Sequence, residues 1–127
     1  MKINSIKKGL VILMVSQPRH IYMERFLSWL DSDKLTEKDK SELKGIESDD
    51  DEIKERFSDY LSFGTAGLRG VMAMGTHNMN VYTVCHATQG FANYLNDGGI
   101  DDAADRGIVI AYDSRINSRE FAQAAAA

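Results

Sequence analysis

Large apolar residues recur at helical spacing through the first half of the chain. They lie three to four positions apart between Ile21 and Leu30, and again between Ile53 and Leu61. Between these stretches, Thr36 followed by Asp39 is typical of a capping box and predicts a second helix that runs through residue 46. We therefore expect three helices here.

The pattern changes at Phe63. Residues 63–72 hold too many glycines for a helix interior and predict an extended segment with a tight turn or bulge. Residues 81–95 then place their apolar side chains on one helical face, and Gly98 with Gly99 is typical of a helix stop. A long amphipathic helix is therefore expected after the glycine-rich segment.

Residues 107–112 form a short apolar run that is rich in β-branched residues. Such a run is typical of a strand buried on both faces, and a final helix is expected from about Arg119. The fold class predicted by this order is α/β, with a βαβα unit of parallel strands that follows a helical arm. The chain stops inside its last helix, which indicates the incomplete first domain of something longer.

Three segments follow from these elements. We expect a loosely ordered N-terminal extension over residues 1–21, a helical arm over 22–62 and a partial α/β domain over 63–127. Lysines before the apolar run 10–15 imitate a secretory signal, but the run is too short to span a bilayer and no cleavage site follows it. Translation could instead begin at Met14 or Met23.

Composition and charge exclude several classes of protein. The 127 residues leave room for one modest domain, and the net charge of −4 does not favour a nucleic-acid backbone or an anionic membrane. The single cysteine, Cys85, cannot form an internal disulfide and is compatible with a reducing cytoplasm, where we expect the protein to be. Neither a nucleic acid nor a membrane is an expected partner.

Candidate chemistry centres on the glycine-rich segment. Gly67 and Gly70 let backbone N–H groups come close to an anion, Thr65 adds a hydroxyl donor and Arg69 offers a guanidinium fork that matches phosphate oxygens. The spacing matches neither nucleotide-binding fingerprint, and taken alone such a turn is more often structural. A phosphorylated ligand is the functional interpretation.

The loop of residues 113–118, which follows the predicted strand, is a second candidate part of the ligand-binding site. In an open α/β sheet ligands bind outside the carboxyl ends of the strands. We interpret Asp113 and Arg115 as a structural turn pair, and we assign no phosphoacceptor role to Thr76 in its Thr-His-Asn sequence. Cys85 and His86 are adjacent helical positions and point in different directions, so they are not expected to bind one metal ion together. We expect Cys85 to lie in the core and His86 on the surface.

Several ordered motifs together resemble the first domain of the α-D-phosphohexomutase superfamily, within which the phosphoglucomutase and phosphopentomutase branch is most similar. The resemblance covers roughly residues 22–127. The motifs that carry it are 63–70 (FGTAGLRG), 79–84 (MNVYTV), 87–90 (ATQG) and 110–115 (IAYDSR).

This resemblance implies an isomerase of carbohydrate metabolism that moves a phosphoryl group between C1 and C6 of a hexose, or between C1 and C5 of a pentose. In the family a phosphoserine donates the phosphoryl group, Mg²⁺ is required and glucose 1,6-bisphosphate is an activator. Arg69 matches the family's active-site arginine, and Thr65, Gly67 and Gly70 lie in the same motif. These four are the expected substrate phosphate-binding residues.

Most of the catalytic and binding residues of the family lie in segments that this sequence does not contain. No serine in the chain is followed by His-Asn, so the phosphoserine loop is absent, and the metal ligands and the sugar loop belong to later domains. We therefore expect no catalytic residue and no metal ligand here, and no turnover by this chain alone. Its expected partners are a phosphosugar and the missing C-terminal domains of the same enzyme. A non-catalytic phosphosugar-binding or folding module is the alternative, and the choice between hexose and pentose phosphate stays open.

Overall fold

The computed structural model describes residues 19–98 and 102–127. Most of the expected N-terminal extension therefore lies outside the described residues, and the first helix begins at Arg19. In chain order the helices and strands are α1 (Arg19–Asp31), α2 (Glu37–Lys44), α3 (Asp50–Phe57), β1 (Phe63–Gly64), β2 (Gly67–Leu68), α4 (Val81–Asp97), α5 (Ala103–Arg106) and α6 (Ser118–Ala126).

The three predicted arm helices, α1 to α3, are confirmed. Thr36 closes the expected capping box with Asp39 at the start of α2, and Asp49 accepts a hydrogen bond from Glu52 N at the start of α3. Helix α3 ends at Phe57, earlier than the apolar stripe predicted. The guanidinium of Arg25, in α1, donates 2.8 Å hydrogen bonds to the carbonyl oxygens of Phe57 and Ser58. These bonds provide partners for carbonyl groups at the C-terminal end of α3, which have none within the helix.

The hydrophobic core of the described residues lies inside this arm. Phe57 is fully buried, and its ring meets Phe26 and Trp29 edge to face, each with ring centres 5.6 Å apart. Trp29 in turn meets Tyr82 of α4 at 5.7 Å. The buried apolar side chains are Tyr22, Phe26, Leu35, Leu43, Ile53 and Phe57.

The long helix after the glycine-rich segment is confirmed as α4. Gly98 follows it, and its backbone N–H donates to Tyr94 O; Gly99 lies outside the described residues. Helix α4 packs on α6 but has no buried side chain. The described part of the α/β region is therefore much more open than the arm.

The predicted βαβα unit with parallel strands is not confirmed. The described sheet is a two-stranded antiparallel hairpin, β1 with β2, and one isolated parallel bridge joins Met72 to Met79. Residues 107–112, predicted as a central strand, form no strand in the described part of the chain; Val109, for example, is 95% exposed. A buried strand needs neighbours on both edges, and no described strand lies beside this run. What is confirmed is the coarser architecture, helices combined with a small sheet.

No helix among the described residues is both long enough and apolar enough to cross a bilayer.

Candidate phosphate-binding site

The glycine-rich segment forms a tight antiparallel hairpin. Phe63 pairs with Leu68 and Gly64 with Gly67, so that Thr65 and Ala66 make the turn. Thr65 is exposed at the tip of this turn. The predicted extended segment with a tight turn is confirmed, and it presents a hydroxyl group and backbone N–H groups to solvent.

At two positions of this segment the local structure requires glycine. Gly67 has φ of +100°, which side chains other than glycine rarely adopt. Gly70 has no such dihedral constraint, but a Cβ there would lie 2.9 Å from Leu61 Cδ1 and 3.3 Å from Met79 N. Glycine at these positions therefore sets the path of the backbone on either side of Arg69, two residues before it and one residue after it.

Arg69 follows β2 directly and is exposed. Within the described residues its guanidinium takes part in no hydrogen bond, ion pair or cation–π contact, whereas Arg25, Arg56 and Arg115 each bind protein groups. Among the predicted site residues, Thr65, Gly67, Arg69 and Gly70 thus lie together on one hairpin. The guanidinium fork is available to an anion from solution.

The chain between the hairpin and α4 is held by buried amide and hydroxyl groups that sequence reasoning missed. Asn80 is 3% exposed; its Nδ2 donates to the carbonyl oxygens of Ala73 and Gly75, both at 2.9 Å, and its Oδ1 accepts from Thr83 N. Thr76 Oγ1 donates to Asp59 O at 2.6 Å. This bond gives buried Thr76 a structural role.

Gly75 is a second feature that the sequence analysis did not single out. Its φ is +133°, and a Cβ would lie 2.7 Å from Arg56 O. Arg56 itself binds Glu42 and Glu52 at 2.8 and 2.7 Å, and Glu42 also accepts from Met74 N. The arm therefore contacts the loop after the hairpin through backbone as well as charged side chains.

Tyr82 joins α4 to the arm. Its hydroxyl donates to Asp39 Oδ2 at 2.7 Å and accepts from Thr36 N at 3.3 Å. Burial alone would raise the pKa of Asp39, but hydrogen bonds from Thr36 and Tyr82 outweigh it and hold that pKa below its ordinary value. Burial, together with the bond to Asp39, raises the pKa of Tyr82.

The loop of residues 113–118, the second predicted part of the ligand-binding site, is a turn held by hydrogen bonds among its own residues. Arg115 binds Asp113 through its backbone N–H at 3.0 Å and through Nε at 2.8 Å, and Asp113 N donates to Ser118 Oγ. The backbone N–H of Arg115 is the main reason that the pKa of Asp113 is lowered. The expected pairing of Asp113 with Arg115 is confirmed. No hydrogen bond or ion pair of the described residues connects this loop with the hairpin.

A groove of about 900 Å³ lies beside the hairpin, between α1 and α4. Phe63 lines it, but Thr65, Gly67, Arg69 and Gly70 do not. The lining is mainly apolar and aromatic, and includes Trp29, Tyr60, Tyr82 and Phe91. The groove therefore does not contribute to the predicted anion site.

The described residues do not fit a metal site. They bring together no group of three His, Cys, Asp or Glu side chains that could hold an ion. His86 is exposed as expected and stacks on Tyr60, but the expectation that Cys85 lies in the core is wrong. Cys85 is exposed, and its Sγ lies 3.8 Å from Ala124 O of α6.

Comparison with known proteins identifies the family. Residues 60–127 match phosphoglucomutase/phosphomannomutase, alpha/beta/alpha domain I. This match covers more than half of the 127 residues, and the chain belongs to this family. The resemblance seen in the motifs is thereby confirmed, and the hairpin lies inside the matched region.

Individual relatives match over a small part of their length. The chain is similar to the phosphopentomutase of Homo sapiens, with 40% identity over 86 residues that cover 63% of this chain and 14% of that protein. It is similar to the phosphoribomutase of Saccharomyces cerevisiae, with 41% identity over 80 residues that cover 63% of this chain and 12% of that protein.

A bacterial relative gives the same result. The phosphoglucomutase of Staphylococcus saprophyticus is 42% identical over 67 residues, which cover 53% of this chain and 11% of that protein. The chain thus spans about one seventh or less of the length of these relatives. No solved structure matches the chain.

Proposed function

We propose that the chain forms part of domain I of a phosphoglucomutase- or phosphopentomutase-type enzyme. The reaction would move a phosphoryl group between C1 and C6 of a hexose phosphate, or C1 and C5 of a pentose phosphate, through a phosphoserine and a bisphosphate intermediate. The family match over residues 60–127 supports this proposal, as do relatives named phosphopentomutase and phosphoglucomutase.

The proposal rests on the exposure of the Arg69 guanidinium beside the hairpin. Phosphoryl transfer needs positive groups that are already in place where negative charge is spread over phosphate oxygens. An arginine that is exposed, has no partner among the described residues and follows a turn with free N–H groups meets this requirement. In the proposal Arg69 binds the substrate phosphate, with Thr65 and the backbone at Gly67 and Gly70 beside it.

The domain organisation belongs to the same proposal. Residues 22–62 act as an arm that holds the hairpin and the loop after it, and residues 63–127 are part of an α/β domain. Residues 107–112 would become a parallel strand when neighbouring strands of a longer protein are present. Their apolar, β-branched composition supports this role.

Mg²⁺ and glucose 1,6-bisphosphate are proposed as the metal and the activator of such an enzyme, in the cytoplasm. The described residues contain no cluster able to hold a metal, so no step at this hairpin is assigned to Mg²⁺. What these residues can do is bind and orient the phosphate group. Without a Ser-His-Asn sequence the chain also lacks the phosphoacceptor, and alone it is proposed to be inactive.

A coupled mutase assay with glucose 1-phosphate and ribose 1-phosphate tests the proposal. It compares a protein in which residues 1–127 are extended by the coding sequence that follows with the 127-residue chain itself. We expect turnover by the extended protein and none by the short chain. A stop codon directly after Ala127, together with phosphosugar binding but no turnover, would instead support the non-catalytic binding module.

Arg69 is tested in the same extended protein. Arg69→Ala is expected to lower kcat/KM by an amount equivalent to about 2 to 4 kcal/mol of transition-state stabilisation, as for the loss of one preorganised donor. Arg106→Ala, which removes another exposed arginine, is the matched control and should leave kcat/KM unchanged. Wild-type kinetics for Arg69→Ala would show that this arginine is not part of the site.

A further inference from the structure

The hairpin that leads to Arg69 is too short to fix its own direction. It contains two residue pairs, and an isolated two-stranded hairpin is at best marginally stable in water. Its orientation therefore depends on the stretches of chain that lead into it and out of it. We call these the first stem, residues 59–61, and the second stem, residues 70–71.

Both stems are attached to one segment of the chain, residues 76–79. On the first stem, Leu61 N donates to Thr76 O at 2.8 Å. On the second stem, Val71 O accepts from Met79 N, also at 2.8 Å. A group that fixes residues 76–79 on either stem therefore also fixes the hairpin between them.

Thr76 holds the first stem through two of its oxygen atoms. Its side chain is buried, with 4% of the residue exposed, and its Oγ1 donates to Asp59 O at 2.6 Å, while its carbonyl oxygen accepts from Leu61 N. A second carbonyl oxygen, that of Arg56, lies 3.5 Å from Oγ1. The single hydroxyl hydrogen therefore goes to Asp59 O, the much closer acceptor.

We propose that Thr76 is a positioning residue for Arg69. Its hydroxyl fixes the first stem, and Leu61 of that stem lies against Gly70, where a Cβ would come within 2.9 Å of Leu61 Cδ1. Gly70 follows Arg69 directly, so the place of the guanidinium depends on this contact. A two-pronged bond from a guanidinium to phosphate oxygens requires accurate placement. Thr76 itself touches no substrate, and the inference rests on the proposed role of Arg69 in phosphate binding.

A coupled mutase assay on the extended protein, with glucose 1-phosphate and ribose 1-phosphate, tests the role of the hydroxyl. Thr76→Val keeps the shape of the side chain but leaves Asp59 O without its donor, and it should lower kcat/KM on the order of tenfold. Thr76→Ser keeps the hydroxyl and should stay within about twofold of the wild type. Wild-type kcat/KM for Thr76→Val would overturn the proposal.

Combination with Arg69→Ala separates positioning from a general loss of stability. If Thr76 acts through Arg69, Thr76→Val should lower kcat/KM no further in a protein that already carries Arg69→Ala. The matched control is Thr36→Val, which removes a threonine hydroxyl that caps α2 in the arm. It should lower the free energy of unfolding but leave kcat/KM per folded molecule unchanged. An equal fold loss for Thr76→Val in both backgrounds would overturn the positioning role.

Amide hydrogen exchange of the 127-residue chain tests the attachment of the stem without any turnover. Thr76→Val should speed exchange at Leu61 N on the order of tenfold, because this amide donates to Thr76 O. Exchange at Ile53 N, which donates to Asp49 O inside the arm, should not change, and Thr36→Val should leave Leu61 N as in the wild type.

The two measurements distinguish the failure of this inference from that of the proposed function. Absence of turnover in the wild-type extended protein would overturn the proposed function alone. Unchanged exchange at Leu61 N in Thr76→Val would overturn the positioning role, whatever the turnover, because the hydroxyl would then not hold the first stem.

Discussion

Gly70 lies directly against Leu61, so close that a Cβ on Gly70 would come within 2.9 Å of Leu61 Cδ1. Leu61 N in turn donates to Thr76 O at 2.8 Å. Leu61, two residues before β1, and Gly70, directly after Arg69, are thus packed on each other. The position of Arg69 therefore depends on the absence of a side chain at Gly70.

Gly70→Ala is expected to lower the free energy of unfolding by about 1 to 3 kcal/mol, because the added methyl group meets Leu61 and the Met79 backbone. Urea unfolding followed by Trp29 fluorescence measures this change. Gly64→Ala is the control: its Cβ would make only an ordinary contact, 3.6 Å from Gly67 O. Equal stability of the two alanine variants would contradict the close packing at Gly70.

Gly75→Ala should be more damaging than Gly70→Ala. The new Cβ would lie 2.7 Å from Arg56 O, and the φ of +133° is unfavourable for alanine. We expect a loss of about 3 kcal/mol or more in the free energy of unfolding. Gly90→Ala should instead stabilise by about 0.5 to 1 kcal/mol, because Gly90 lies in α4 with open space around its Cα. Thermal unfolding of both variants separates the two effects by sign.

The arm and the hairpin were accessible from sequence because their signals are local. The capping box at Thr36 and the apolar spacing that begins at Ile53 each describe one helix and need no distant partner. The glycines of residues 64–70 likewise predicted a turn at the right place. The same residues, through their order along the chain, indicated the family that residues 60–127 match.

What sequence reasoning missed depends on contacts between distant segments. Position 75 needs a glycine because the backbone of Arg56, 19 positions earlier, leaves no room for a Cβ. No local sequence pattern distinguishes Gly75 from other loop glycines. Residues 107–112 have the composition of a buried strand, but a strand also needs partners, and no described strand lies beside them. Asn80 was the exception: an asparagine directly before the first apolar helical residue is a local cap signal.

Asn80→Ala is expected to cost about 2 to 4 kcal/mol of stability, more than an ordinary helix cap. The variant loses the cap bond to Thr83 N and also leaves the buried carbonyl oxygens of Ala73 and Gly75 without their amide donor. Asn80→Asp keeps the cap acceptor, but it places an oxygen instead of the donor against the carbonyl oxygens of Ala73 and Gly75, so it should recover at most the cap part, about 1 kcal/mol. Urea unfolding of the three proteins gives the comparison, and an Asn80→Asp chain as stable as the wild type would show that the buried donor contributes nothing.

The bond between Tyr82 and Asp39 predicts an acid-sensitive contact between α4 and the arm. The folded-state pKa of Asp39 is lowered, so its contribution to stability is present above the unfolded value of about 3.9 and is lost as pH falls through the folded value. Tyr82→Phe removes one of the bonds that lower this pKa. It should cost about 0.5 to 1.5 kcal/mol at neutral pH and less in acid.

Urea unfolding between pH 7 and pH 2.5 measures this dependence. The difference between wild type and Tyr82→Phe should shrink as pH falls below about 4, because protonation of Asp39 weakens the bond that the variant lacks. Asp33→Asn is the control for general carboxylate effects, since Asp33 is exposed and its side chain makes no hydrogen bond with the described residues. A difference between wild type and Tyr82→Phe that stays constant over this range would mean that the Tyr82 hydroxyl is insensitive to the charge on Asp39. No difference at any pH would mean that the contact stabilises the α4–arm junction through ring packing on Trp29 alone.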